Sequence, residues 1–311
     1  MLSFISNYQV FAIIRHEEPH GACLSSQIAL AGFIQRLGKK ARCYSAGPFV
    51  RPEVQQLAKE ISVSPLESPE AVIIVDCSTL DRVGHYKEEI PGFPTGVIDH
   101  HSSGIPFGDV RYIEPEAPST TYLIQKVMEE AGEAPNQHEA ELLLFGLCTD
   151  TGFFRHLGSG SGEVFAAVSR LVAAGASPNS VFYRMFGNRT FGSRKLLGRL
   201  LERTEPRYNG RLLVTWETGD DLSEFGKQQR DSESLYQLLQ MVHGCDVIIL
   251  VRQEDEASCS VGLRSTGSVD VGKIAQSFGG GGHHGAAGYD RPGDVHDVVR
   301  EIVDFFKPIV G

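Results

Sequence analysis

Three short apolar runs constrain the fold most. Residues 8–15 (YQVFAIIR), 71–75 (AVIIV) and 96–98 (GVI) are rich in β-branched side chains and barely alternate with polar ones. A strand that is apolar on both faces must be covered on both, which is the condition of a parallel sheet. Between the runs lie stretches with helical spacing, Leu24–Leu37 and Glu53–Ile61. Strand and helix alternating in this way predict a doubly wound α/β domain. The segment HEAELLLFGLCTDTG (138–152) predicts a helix running into a polar turn.

A second α/β unit follows, and it is smaller. RLLVTWE (211–217), DVIILVR (246–252) and ASCSVGLRS (257–265) predict strands, and VDVGKIAQSFG (269–279) and VHDVVREIVDFF (295–306) predict helices. Between the two units the charge changes sign locally: Arg184, Arg189, Arg194, Lys195, Arg199 and Arg203 face one acid, Glu202. A basic connecting helix fits there, with either a solvated or a phosphate-facing surface. The expected division is 1–185, a helical linker at 186–206, and 207–311.

The chain has 311 residues, which suits about two domains, and a formal net charge of -10. That charge disfavours coating of long DNA or RNA, which needs dense cationic neutralisation of phosphates. It leaves open a short phosphorylated ligand held in a pocket. The six cysteines are scattered without a C-x-x-C pair, as reduced thiols in a cytoplasmic protein would be. The N-terminal residues lack a basic region and a small-residue cleavage site, and the longest apolar runs are far shorter than a membrane span. The expectation is a cytoplasmic protein with no membrane partner.

The chemistry-bearing residues sit where strands end. His16 and His20 follow the first run, Asp76 the second, and Asp99-His100-His101 the third; Asp150 lies in the CTDTG turn. Ligands of open α/β sheets bind outside the carboxyl ends of the strands, so these groups should converge at one edge. Imidazole with carboxylate suits Mn²⁺, Fe²⁺ or Zn²⁺. Alone, each residue reads most simply as a turn or capping group. Two aspartates at successive strand ends, with a histidine pair attached, favour a metal site.

A second candidate lies near the C-terminus. Gly279, Gly280, Gly281 and Gly282 would let backbone N–H groups approach an anion, and Gly285, Ala286, Ala287 and Gly288 would allow close helix packing. Arg264 could grip a phosphate bidentately, with Ser265 and His283 as further donors. Arg155 and His156 follow the Asp150 turn and could face a ligand or solvent. Ser119-Thr120-Thr121 after Pro118 reads as a helix N-cap.

The string VIDHH (97–101) resembles the signature of the DHH phosphoesterase superfamily. IIRHEEPHGACLSS (13–26), VDCS (75–78) and GLCTDTGFFRH (146–156) resemble its other blocks, in order. GLRSTG (262–267) and GGGGHHGAAG (279–288) are similar to the glycine-rich motif of the DHH-associated C-terminal domain. The resemblance covers essentially the whole chain and is nearest to the nano-RNase branch. It implies degradation of short oligoribonucleotides and removal of the 3′-phosphate of adenosine 3′,5′-bisphosphate (pAp), with the active site in an interdomain cleft. It also implies a pair of Mn²⁺ ions, Asp76 bridging them, His100 and Asp150 on one and His16 on the other. Asp99 and His101 would orient ligands or protonate the leaving group. Two metals about 3.5–4 Å apart lower the pKa of bound water and clamp an in-line displacement. A homodimer is compatible with this reading.

One block departs from the pattern. The family's H-x-x-P-D-G-D-A reads here His16-Glu17-Glu18-Pro19-His20-Gly21-Ala22-Cys23, so His20 replaces one aspartate and Ala22 the other. His20 can still donate to a metal, whereas Ala22 cannot. The expectations are therefore one or two Mn²⁺ or other divalent ions per chain. Two alternatives stand beside the enzyme: a nucleotide-binding protein with an impaired metal site, and a cyclic-dinucleotide phosphodiesterase.

Overall fold

The computed structural model describes residues 1–17, 21–49, 55, 57–187, 189–267 and 269–311. It divides into two compact units, Met1–Asn188 and Arg189–Gly311. Of the expected helix over Glu53–Ile61, residues 53, 54 and 56 lie outside the described residues; Leu57–Glu60 is a single 3₁₀ turn and Ile61 begins a strand.

The first unit is built on six parallel strands: β1 (Val10–Ile14), β2 (Lys40–Tyr44), β3 (Ile61–Ser62), β4 (Ala71–Val75), β5 (Thr95–Asp99) and β6 (Val110–Ile113). Their spatial order is β3-β2-β1-β4-β5-β6. The order reverses between β1 and β4, and a crevice opens at such a switch point outside the carboxyl ends of the strands. The continuous apolar runs have the predicted cause. Phe11 and Ile13 of β1 pack with Ile73 and Val75 of β4 on one face, while Ala12, Ile14, Val72 and Ile74 pack on the other.

Helix α1 (Leu2–Asn7) precedes β1, and α2 (Gly21–Arg36) links β1 to β2. Four further helices follow the sheet: α3 (Thr120–Glu130), α4 (Gln137–Asp150), α5 (Gly162–Ala173) and α6 (Pro178–Phe186). Ser119 caps α3 by accepting from the Tyr122 N–H, as its position suggests. A reciprocal Asn136–Glu139 capping box starts α4, which satisfies two otherwise unpaired N–H groups. These caps fix where α3 begins and hence where α4 delivers Asp150.

The second unit opens with α7 (Phe191–Glu202), followed by β7 (Glu205–Arg207), β8 (Leu212–Glu217), α8 (Gly219–Phe225), α9 (Ser232–Leu239), β9 (Val247–Gln253), β10 (Ser258–Ser265), α10 (Val271–Ser277), β11 (Gly281–His283), β12 (Ala286–Pro292) and α11 (Val295–Val310). The sheet order is β11-β12-β10-β9-β8-β7, antiparallel except for β8 with β9. Val295, Val298, Val299, Ile302 and Phe306 form the buried stripe of α11, the spacing an amphipathic helix uses to cover a sheet.

The basic helix and the glycine-rich stretch both belong to this unit. Helix α7 packs into it through buried Leu196 and Leu200. Arg194 pairs with Asp231, Arg199 with Asp221 and Glu224, and Arg203, the C-cap, with Asp221. The Gly285–Gly288 stretch leads into β12 and pairs with its neighbours, and Ala287 also packs with Val271 and Ala275 of α10, the close helix packing expected of small residues. Gly288 stands opposite Gly262 of β10 and Gly281 of β11. Small residues are needed there because strands approach strands: a Cβ on Gly280 would come 2.2 Å from the Gly288 carbonyl oxygen.

Candidate metal centre

β1, β4 and β5 are parallel neighbours, so the residues following them emerge at one edge. His16 follows β1, Asp76 directly follows β4, and Asp99 ends β5. Asp76 adopts φ +55°, a left-handed conformation uncommon for a residue other than glycine and often found at functional sites. Its N–H donates to the Ile98 carbonyl at 3.0 Å, which anchors the turn to β5. Its Oδ1 accepts from the Thr120 hydroxyl at 2.7 Å.

Asp99 organises the two histidines after it. Its Oδ1 accepts from the backbone N–H groups of His100, at 2.8 Å, and His101, at 3.3 Å. The same oxygen lies 2.7 Å from Nδ1 of His101. That contact raises the His101 pKa above the usual histidine value, against the lowering effect of partial burial. His100 is set differently: Nδ1 lies 3.1 Å from the Ala117 carbonyl oxygen. A carbonyl can only accept, so Nδ1 carries the proton and Nε2 presents its lone pair. That lone pair faces Asp76 Oδ1 at 3.6 Å and Asp150 Oδ2 at 3.8 Å.

His16 repeats the arrangement on the other side of Asp76. Its Nδ1 contacts the Glu17 carbonyl oxygen, and its Nε2 lies 2.9 Å from Sγ of Cys23. Two groups of possible donors result, His16-Cys23-Asp76 and Asp76-His100-His101, each with its ligand atoms within 4.8 Å of one another. Asp76 belongs to both.

Asp150 ends α4, where the helix dipole disfavours an anion. Burial pushes its carboxyl well above the usual carboxylate range, and the charges of Asp76 and Asp99 push it further. Its Oδ2 is buried and accepts no hydrogen bond among the described residues. An anionic oxygen placed so, beside a second carboxylate and an imidazole lone pair, costs several kcal/mol unless a cation meets it. The donors therefore fit a divalent metal.

Residues 10–147 match the DHH family, N-terminal domain, and residues 209–310 match the DHHA1 domain. The chain belongs to the DHH phosphoesterase family. It is 28% identical over 280 residues to the bifunctional oligoribonuclease and PAP phosphatase NrnA of Thermus thermophilus, covering 89% of this chain and 82% of that one. The protein of the same name from Bacillus subtilis is 24% identical over 292 residues, covering 93% and 91%. Among solved structures, an exopolyphosphatase-related protein from Bacteroides fragilis superposes with a TM-score of 0.83 at 19% identity, covering 99% and 96% of the two chains. That likeness concerns the fold.

DHH phosphoesterases are metal-dependent, and the donors here suit that chemistry. His16, Asp76, Asp99, His100 and His101 gather at the sheet edge, with Asp150 reaching His100 from α4. His20 and Glu18 lie outside the described residues. Glu17 is exposed and extends its carboxylate toward Gly84. Arg155 is also exposed, its Nε donating to Nε2 of His156 at 3.3 Å.

The substrate-binding candidates lie in the second unit. Arg264 of β10 stands opposite Ala286 of β12, and Ala286 opposite His283 of β11. Directly opposed residues share a sheet face, so Arg264 and His283 lie in one row, two strands apart. The Arg264 guanidinium stacks 4.2 Å above the Tyr236 ring and donates through one nitrogen to the Leu263 carbonyl at 3.0 Å. Gly262 makes this possible, since a Cβ there would come 2.1 Å from the Tyr236 hydroxyl. Ser265 donates its N–H to the Gly285 carbonyl. Gly280 belongs to a separate groove of about 460 Å³, shared with Arg252, Ser260 and Asp290.

Three residues of the metal region were not singled out from sequence. Thr120 was read as part of a cap and also holds Asp76. Arg15 is fully buried, donates to the His16 carbonyl at 2.8 Å and to Ser45 Oγ at 2.7 Å, and has its pKa lowered by burial to about 10. A cation ending an otherwise apolar strand was the available signal. Cys23 gave none beyond its place in the first block.

Proposed function

We propose that this chain is a metal-dependent phosphohydrolase that shortens oligoribonucleotides of a few nucleotides from one end and removes the 3′-phosphate of pAp. The observation that carries the reading is the position of Asp76, shared by two groups of donors at the switch point of the parallel sheet. The named activity of the relatives that align over most of the chain supports it.

In this reading Asp76, His100 and Asp150 hold one divalent ion, and His16 and Asp76 face a second position. His20 is a further candidate ligand. The oxygen- and nitrogen-bearing group around His100 suits Mn²⁺. When bound, such ions supply a nucleophile at neutral pH and neutralise charge on the phosphoryl oxygens. Asp99 holds the His101 imidazole, which in this reading gives a proton to the leaving oxygen. Arg264, Ser265, Gly280, Gly281, Gly282 and His283 provide phosphate and base contacts, with Arg155 as an accessory cation. A short ligand gripped at few points is compatible with the net charge of -10, because affinity then rests on local groups and not on a cationic surface.

The test is a substrate panel with product identification: a dinucleotide, a pentanucleotide, a long RNA, pAp and a cyclic dinucleotide, each with Mn²⁺. Turnover of the short linear substrates and pAp, with the long RNA resisting, is expected. Preferential opening of the cyclic dinucleotide would favour the phosphodiesterase alternative. Nucleotide binding without any turnover would favour the impaired-site alternative.

A further inference from the structure

The DHH reading explains why donor side chains gather around Asp76, but it leaves Cys23 without a role. Cys23 lies in the first turn of α2 and is fully buried. Its Sγ is 2.9 Å from Nε2 of His16, and the sulfur, that nitrogen and an Asp76 oxygen all lie within 4.8 Å of one another.

The orientation of His16 is informative. A carbonyl oxygen accepts at Nδ1, so the ring proton sits there and Nε2 offers a lone pair toward the sulfur and Asp76. Metal-bound histidines are commonly fixed in this way, with the far nitrogen donating to a carbonyl. Donors bound to one ion at about 2.0–2.3 Å lie roughly 3.3–3.7 Å apart in a tetrahedron, longer than the 2.9 Å sulfur–nitrogen contact and within the 4.8 Å that bounds the group. The surroundings also suit an anionic sulfur. It lies at a helix N-terminus, and the buried Arg15 guanidinium interacts with it.

The geometry points to Cys23 as a metal ligand: with His16 and Asp76 it forms a site of mixed sulfur, nitrogen and oxygen donors, which takes a borderline-soft ion such as Zn²⁺, Co²⁺ or Fe²⁺ in preference to Mn²⁺ or Mg²⁺. Thiolate selects the softer ions, whereas carboxylate with water suits the harder ones. The two sides of Asp76 then differ in kind. The His100 side is built from oxygen and nitrogen, and the His16 side includes sulfur. Ala22 offers no donor in this block, and the neighbouring thiol supplies an anionic one. This inference rests on the metal-dependent reading above, but it concerns which atom binds and which ion is preferred.

The experiment uses the full chain, stripped with chelator and titrated with Co²⁺. Bound Co²⁺ should give visible d–d bands together with an intense near-ultraviolet thiolate-to-cobalt charge-transfer band. Cys23→Ser should abolish the charge-transfer band while keeping visible bands from the remaining ligands. It should also weaken Zn²⁺ binding by about 100-fold or more, the upper range for disturbing even a supporting partner of a ligand, and leave Mn²⁺ binding much less affected. Cys23→Ala serves as a second variant, and far-ultraviolet circular dichroism checks that each variant is folded. Co²⁺ binding without the charge-transfer band, or a band that survives in folded Cys23→Ser, overturns the assignment. Wild-type protein that cleaves a pentanucleotide but lacks the band overturns Cys23 alone. A Cys23-dependent band in protein that cleaves nothing supports the ligand and counts against the phosphohydrolase.

Discussion

The Thr120 hydroxyl donates to Asp76 Oδ1 at 2.7 Å, and both side chains are fully buried. Thr120 opens α3 and Asp76 directly follows β4, so one hydrogen bond ties a helix start to the shared carboxylate. Partners that orient metal ligands typically matter by 10–100-fold in affinity or activity. Thr120→Val, which keeps the shape and removes the donor, should lower metal affinity and kcat/KM by about 10–100-fold. Thr120→Ser should restore most of the loss. Metal titration calorimetry and steady-state kinetics on both variants check this.

Asp99 acts on His101 through Nδ1, and this contact is the first cause of the raised imidazole pKa. In metal-free protein the His101 ring should titrate above about 6.5, the ordinary histidine value. Its contribution to stability is present below that value and is lost as pH rises through the raised one. Asp99→Asn should move the midpoint downward. Histidine resonances followed by NMR across pH 5–9 check the direction, and an unchanged midpoint would remove Asp99 as the cause.

Asp150 gives the opposite experience of charge: burial first, then Asp76 and Asp99, raise its carboxyl. A raised folded-state pKa means that the folded protein holds this proton more tightly than the unfolded chain. Metal-free protein should therefore lose stability as pH rises from about 4, the ordinary aspartate value, through the raised one. Divalent metal should reverse the loss, because the cation then meets the carboxylate. Denaturant titrations with and without metal test the slope, which should shrink in Asp150→Asn.

In the second unit, the Arg264 guanidinium stacks on the Tyr236 ring and donates to the Leu263 carbonyl through one nitrogen. If it grips substrate phosphate, Arg264→Ala should raise KM more than it lowers kcat. Loss of a charge-assisted hydrogen bond of about 1.5–3 kcal/mol corresponds to roughly 10–100-fold. Kinetics on pAp and on a dinucleotide decide the matter; a fall in kcat alone would assign Arg264 another role.

Much of the fold was legible because burial on both faces leaves an apolar run with few exceptions. AVIIV at 71–75 matches β4 in full. The edge strands were not legible in this way. KARCY of β2 has two exposed positions, and VRYI of β6 alternates between partial and full exposure, so neither carries a continuous apolar signal. The strand-end acids and histidines were legible because parallel topology sends successive carboxyl ends to one edge. Thr120 and Cys23 were not, since their contacts join α3 with β4 and α2 with β1. Sequence spacing carries no record of such pairings. The glycine-rich stretch was only half legible: its need for small side chains and its helix packing were clear, but its strand partners were not.

The central claim is that Asp76 organises a divalent-metal centre that hydrolyses short phosphoesters. The most direct measurement is pentanucleotide turnover by chelator-stripped protein during stepwise addition of Mn²⁺, beside folded Asp76→Asn. The account predicts no turnover without metal, saturable activation in the wild-type chain, and a loss of at least about 100-fold in the variant, as befits a direct ligand. Turnover that is independent of added metal, or equal in Asp76→Asn, would contradict it.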